Sequence, residues 1–136
     1  HFVDLLRFLA ASSIEKVAAI AMDAECSDSV SIQLKFKNGS IGVINYLANG
    51  SKSLPKERLE VFCNGSVLQL DNFRILRGFG WPGFKRDKLW RQDKGQFNCS
   101  KAFIDAVMSG DSSQLIPFEE LVEVTQACLD AVEQIS

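Results

Sequence analysis

Apolar and polar positions alternate along Val30–Phe36, where Val30, Ile32, Leu34 and Phe36 are separated by Ser31, Gln33 and Lys35. A period of two marks a strand with one buried face. Asn38-Gly39 follows, and apolar positions resume through Leu47. The Asn-Gly pair predicts a two-residue primed turn, because both of its central positions need positive φ. That turn sets Phe36 opposite Ile41, Leu34 opposite Val43, Ile32 opposite Asn45 and Val30 opposite Leu47. One face is then apolar except at Asn45. The other face carries Tyr46, Ile44 and Gly42 across from Ser31, Gln33 and Lys35, a mixed surface suited to contact.

The same reasoning predicts a second hairpin. Leu59, Val61 and Cys63 alternate, Asn64-Gly65 turns the chain, and Val67–Leu70 returns, with Val61 opposite Leu68 and Leu59 opposite Leu70. Glu15–Met22 reads as a strand, as do Phe73–Arg77 and Phe84–Trp90 on either side of a Gly78–Gly83 turn. Helical spacing appears three times. Phe2, Leu5, Leu6, Leu9 and Ala10 form one stripe, and Cys99, Phe103, Ala106 and Val107 mark a helix over Phe97–Ser109. Pro117 opens a last helix at N1, with Phe118, Leu121, Val122, Thr125, Cys128, Leu129, Val132 and Ile135 on its buried side. Helix, strands, then two helices predict an α+β domain. Its open, mostly antiparallel sheet of about six strands has helices on one face and leaves the other free for dimerisation.

Composition narrows the partners. A chain of 136 residues is read as one domain with its own core. A net charge of −2 and a pI near 5.4 give no general attraction to nucleic acid or an anionic membrane. No apolar run is long enough to span a bilayer and no signal peptide is visible, so a cytoplasmic location is expected. Cys26, Cys63, Cys99 and Cys128 are scattered without a Cys-x-x-Cys pair, and are read as reduced thiols rather than zinc ligands. Turn chemistry accounts for Asn-Gly-Ser at residues 38, 49 and 64, and glycosylation there is not expected.

Four groupings carry candidate chemistry. Gly78-Phe79-Gly80-Trp81-Pro82-Gly83 matches G-x-G-x-x-G, but Pro82 and the alternation after it do not open a helix, and no βαβ unit surrounds it, so a hairpin loop is expected. Lys85, Arg86, Lys88 and Arg91, set among Trp81, Phe84 and Trp90, resemble a stacking strip for single strands. The interleaved Asp87 and the acidic total favour a solvated face instead. His1 and Asp4 stand three apart on a helix, a spacing that lets a carboxylate orient an imidazole base. The same spacing equally fits a terminal histidine beside an exposed aspartate. Lys52, Lys56, Arg58 and Lys94 lie near strand ends, where cations can hold hydroxyls or phosphates.

Taken together, the stretches HFVDLLRFL, GSIGVINYLANGSKSLPKERLEVF, RQDKG and IPFEELVEVTQACLDAVE resemble the Gfo/Idh/MocA group of NAD(P)-dependent oxidoreductases, in order and over nearly the whole chain. They are similar to members associated with sugar and surface-polysaccharide metabolism. The resemblance implies that residues 1–136 are the C-terminal substrate-binding and oligomerisation domain of a two-domain enzyme. The N-terminal Rossmann domain, which holds NAD or NADP and supplies a lysine from an E-K-P motif, would be absent. His1 and Asp4 fall on the His and Asp of the family's G-x-H-x-x-D motif; its glycine is not in this chain. The resemblance therefore implies His1 as the base for a substrate hydroxyl and Asp4 as the residue that orients it. Lys52, Lys56 and Lys94 are implied as contacts to a sugar or nucleotide-sugar, and Ile44 and Tyr46 as the homo-oligomer interface on the open sheet face. The chain alone is expected to bind no cofactor and to be inactive. The competing expectation is a non-enzymatic binding or oligomerisation module that uses the same sheet. Neither expectation involves nucleic acid or a membrane.

Overall fold

The computed structural model describes residues 1–23 and 28–136. Cys26 and most of the polar 23–28 connection therefore lie outside the described residues. In sequence order the elements are α1 (Phe2–Ala10), β1 (Ile14–Ala21), β2 (Val30–Phe36), β3 (Ile41–Tyr46), β4 (Arg58–Cys63), β5 (Ser66–Asp71), β6 (Ile75–Phe79), β7 (Arg86–Lys88), α2 (Gln96–Ser109) and α3 (Phe118–Ile135). The class is α+β with open antiparallel sheets. The strands do not form a single sheet of about six. They form two, ordered β1-β2-β3 and β4-β5-β6-β7, in two compact units: His1–Gly50 with Leu115–Ser136, and Ser51–Gln114. Between β3 and β4 the backbone runs through turns rich in Gly, Ser and Pro, which carry no strand.

In the first unit, β2 and β3 pair one position away from the expected register. Val30 lies opposite Tyr46, Ile32 opposite Ile44 and Leu34 opposite Gly42. The turn is longer than two residues. Gly39 N–H donates to Phe36 O at 2.9 Å, Phe36 N–H donates to Ser40 O at 2.9 Å, and Gly39 is left-handed at φ 87°. Asn38 has no positive φ, because it is strapped to the end of α1. Its Nδ2 donates to Ala10 O at 2.9 Å, its N–H donates to Ser12 Oγ at 3.1 Å, and its Oδ1 accepts Ser40 N–H at 3.0 Å. The result is a type I turn closed by a left-handed glycine. A slip of one residue reverses every facing. Ile44 and Tyr46 therefore share a side with Leu34 and Phe36, while Ile41 and Val43 point the other way. The expected placement of Ile44 and Tyr46 on the open face is corrected accordingly.

The core of this unit is Val3, Leu34, Phe36 and Ala127, with Leu6, Ala10, Ile14, Val17, Ile32, Ile44, Val124 and Cys128 packed around it. Helix α3 lies on β1 through small side chains: Ala127 and Ala131 are each only 3% exposed. Of the stripe expected to be buried on α3, Cys128 alone joins the core, and Phe118, Leu121, Val122, Leu129 and Val132 are exposed. Alanines allow close approach of helix to strand, so the bulkier row is turned outward. Pro117 is the N-cap rather than N1, at φ −56°, ψ 143°.

The second unit keeps the expected hairpin register, with Leu59 opposite Leu70 and Val61 opposite Leu68. Asn64 (φ 47°) and Gly65 (φ 74°) are both left-handed, as a primed two-residue turn requires. The register sorts the sheet into two faces. Leu59, Val61, Leu68, Leu70 and Leu76 share one, and Arg58, Glu60, Gln69, Asp71 and Arg77 share the other. Helix α2 is bounded by left-handed Gly95 and Gly110 and buries Ala106, but Phe97, Ile104, Val107 and Met108 stay exposed.

Candidate functional site

His1 occupies the N-cap position of α1, and its carbonyl accepts Leu5 N–H at 2.9 Å. Its ring is exposed and tilts over Phe2, with centroids 5.0 Å apart. Asp4 is half-buried in the first helical turn, where the dipole favours an acid. Among the described residues, no hydrogen bond or ion pair joins the two side chains. The helix itself is held firmly. Arg7, whose side chain is 11% exposed, reaches Glu120 at 3.3 Å and Glu123 at 3.3 Å on α3. Glu123 also accepts the N–H of Ile14 at the start of β1. The candidate base thus stands at the N-cap of a helix clamped further along its length.

A groove of about 680 Å³ runs between β1 and α3, bounded by Glu15, Lys16, Glu123, Gln126, Asp130 and Gln134 among others. His1 and Asp4 do not line it. Several of its polar groups are already bonded. Gln134 accepts Ala19 N–H at 3.0 Å and donates to Val17 O at 3.3 Å. A smaller hollow of about 210 Å³ lies on the uncovered side of the first sheet, lined by Ala18, Gln33, Lys35, Ile41, Gly42 and Val43. Ile20 (74%), Ile41 (78%) and Val43 (51%) are exposed on that side, whereas Ile44 packs against the core.

Lys52, Lys56 and Lys94 belong to the second unit. Lys52 and Lys56 are exposed, with no hydrogen bond or ion pair among the described residues. Lys94 pairs with Glu57 and sits 5.9 Å over the ring of Phe73, so its charge is spent locally. The Gly78–Gly83 run leads β6 into β7 and opens no helix. The described residues therefore build no pyrophosphate cradle of the dinucleotide kind. No group of three or more His, Cys, Asp or Glu suited to a metal occurs among the described residues. Cys63, Cys99 and Cys128 are free thiols.

One polar constellation was not singled out from the sequence. On the second sheet Arg58, Glu60, Gln69, Asp71 and Arg77 form a continuous ladder. Gln69 donates to Glu60 at 2.9 Å, Arg58 donates to Glu60 at 2.8 Å, and Arg77 pairs with Asp71. The Gln69 amide, then Arg58, hold the Glu60 carboxyl below its ordinary 4.5. The signal was present in the second hairpin's register, which places Glu60 opposite Gln69.

These features define an α+β protein of open antiparallel sheets and flanking helices, with apolar rows left uncovered in both units. No family model matches the sequence, and no curated protein matches it significantly. Solved structures do share the fold. Two crystal forms of UDP-N-acetylglucosamine 3-dehydrogenase GnnA from Acidithiobacillus ferrooxidans align over 99% of this chain, with TM-scores of 0.79 and 0.82 at 15% and 14% identity. A Thermotoga maritima protein provisionally described as an oxidoreductase aligns over 98%, with TM-score 0.73 and 12% identity. The chain spans less than half of each, 46%, 44% and 42% of their lengths. The fold is thus that of a portion of oxidoreductase chains. No helix among the described residues is long and apolar enough to cross a membrane.

Proposed function

We propose that this chain is the substrate-side and oligomerisation portion of an NAD(P)-dependent dehydrogenase of the Gfo/Idh/MocA type, acting on a carbinol of a sugar or nucleotide-sugar. The observation that carries the reading is the alignment of 99% of the chain, at TM-score 0.82, with 44% of a nucleotide-sugar dehydrogenase. The residues quoted for the family resemblance point the same way. His1 is the proposed acceptor of the hydroxyl proton. Asp4, one helical turn on, would orient the imidazole once substrate or a neighbouring segment closes over it. Lys52 and Lys56 are free to meet a hydroxyl or phosphate, and Lys94 is the weakest of the three because Glu57 already holds it. No residue of this chain is assigned to the nicotinamide dinucleotide.

The oligomer surface is proposed on the uncovered side of the first sheet. Its centre moves from Ile44 and Tyr46, which share the core side, to Ile20, Ile41 and Val43. A non-enzymatic binding or oligomerisation module remains the second reading. The exposed apolar side chains of Ile20, Ile41 and Val43, which need no catalytic group beside them, favour it. The deciding experiment assays the longest natural protein containing this sequence with NAD and NADP against free sugars and nucleotide-sugars, beside NADH titration of residues 1–136 alone. The dehydrogenase reading expects turnover by the whole protein and no NADH affinity in residues 1–136. Absence of turnover across the panel, or tight NADH binding by residues 1–136 themselves, overturns it.

A further inference from the structure

Asn38-Gly39-Ser40, Asn49-Gly50-Ser51 and Asn64-Gly65-Ser66 are three copies of one tripeptide. Asparagine before glycine carries a latent reaction. The glycine backbone nitrogen, once deprotonated, attacks the asparagine Cγ, and glycine suits this because no side chain obstructs the approach. A new bond joins that nitrogen to Cγ, the bond from Cγ to Nδ2 breaks, and ammonia leaves. Water then opens the cyclic imide at either carbonyl to give aspartate or isoaspartate. The balance is one water in and one ammonia out, with no change of oxidation state. Since the three tripeptides are identical, their rates in an unfolded polypeptide are nearly equal, and any spread in the folded protein reports what the fold imposes.

The fold treats the three differently. At Asn38 each participant is occupied. The nucleophile Gly39 N–H donates to Phe36 O at 2.9 Å, the leaving amide donates to Ala10 O at 2.9 Å, and Oδ1 accepts Ser40 N–H at 3.0 Å. At Asn64 the side chain is exposed and has no hydrogen bond among the described residues. Its backbone, however, is pinned at φ 47° between the paired residues Cys63 and Ser66. At Asn49 neither restraint exists. Asn49 and Gly50 are exposed in a turn, and the Asn49 side chain has no hydrogen bond among the described residues. A Cβ placed on Gly50 would meet nothing within 4 Å. The nearest anchor is one residue back, where Ala48 N–H donates to Ser29 Oγ at 3.2 Å.

We infer that Asn49 is a site of spontaneous deamidation, faster than Asn64, and that Asn38 is protected. Three hydrogen bonds of ordinary net strength must open together at Asn38, which lowers its reactive population by about a hundredfold relative to Asn49. The product at Asn49 adds a negative charge three residues before Lys52. In its isoaspartyl form it also adds a backbone methylene at the last residue pair of the first unit's His1–Gly50 segment.

The test is peptide mapping by mass spectrometry of the intact protein, incubated in H₂¹⁸O at mildly alkaline pH, with and without denaturing urea. The folded protein is expected to accumulate label at Asn49 first, then Asn64, with Asn38 about a hundredfold slower. In urea the three rates should converge. The variant Gly50→Ala should slow labelling at residue 49 and leave the other two unchanged. Labelling of Asn38 as fast as Asn49 in the folded protein, a faster Asn64, or a native order that persists in urea overturns the inference.

Discussion

Arg7 on α1 and Glu123 on α3 meet Nε to Oε2 at 3.3 Å across 116 positions of sequence. The same carboxylate accepts Ile14 N–H with its other oxygen. One acid therefore ties the first helix, the first strand and the last helix. Removing it leaves a largely buried guanidinium with Glu120 as its remaining partner and the Ile14 amide unpaired. Glu123→Ala is expected to destabilise the first unit by about 2–3 kcal/mol. Glu123→Gln, which keeps an acceptor for Ile14, should cost about half as much. Urea denaturation of the pair checks both, and equal midpoints for the two variants would refute the double role.

Two glycines are predicted to differ in tolerance. A Cβ at Gly42 meets Leu6 Cδ1 at 2.8 Å, the far end of a flexible side chain, whereas at Gly78 it meets the Phe84 ring at 2.6 Å and Phe84 O at 3.1 Å. A leucine tip can swing aside, but backbone cannot. Gly78→Ala is expected to cost about 1–3 kcal/mol, and Gly42→Ala clearly less. Thermal melts of the two variants should separate them in that order.

Glu60 offers a pH readout. Its carboxyl is held low by Gln69 first and Arg58 second, so the folded state favours the charged form. A depressed value contributes stability that is in place above the ordinary 4.5 and fades as pH falls through the folded-state value. Gln69→Leu should bring the Glu60 titration, followed by carboxyl NMR, back toward 4.5. An unchanged titration would show that Gln69 does not set it.

For the proposed activity, His1→Asn in the whole protein is expected to lower kcat by about a hundred- to ten-thousandfold with KM little changed. Lys52→Met and Lys56→Met should instead raise KM. A kcat unaffected by the His1 substitution would remove the base assignment.

The register of the first hairpin bears on assembly. Val43→Asp and Ile41→Asp alter the uncovered side and are expected to shift the protein to a smaller species in sedimentation with its fold intact. Ile44→Asp, set against the core, should unfold it. If Ile44→Asp stays folded and dissociates the oligomer, the interface belongs on the face that the two-residue turn predicted.

That contrast shows what the residues disclose. The Asn64-Gly65 turn was legible because nothing else competes for Asn64. The identical dipeptide at residues 38 and 39 misled because Asn38 is bound to Ala10 and Ser12, contacts that exist only after α1 has docked. Helix α3 was found from its spacing, but its buried side was assigned to the bulkier residues. Ala127 and Ala131 carry too little hydrophobicity to announce that a strand approaches them. His1 and Asp4 were set side by side by their helical spacing, but spacing alone would not have separated them from an ordinary helix start without the family resemblance.

Gln134 has one more implication. Its amide gives an acceptor to Ala19 and a donor to Val17, as a neighbouring strand would. The last turn of α3 thereby acts as a one-residue prosthesis for the missing neighbour of β1, occupying groups that would otherwise recruit another polypeptide. Replacing Gln134 with alanine would leave the helix largely intact yet uncap that border, offering the Ala19 amide and the Val17 carbonyl to an incoming strand.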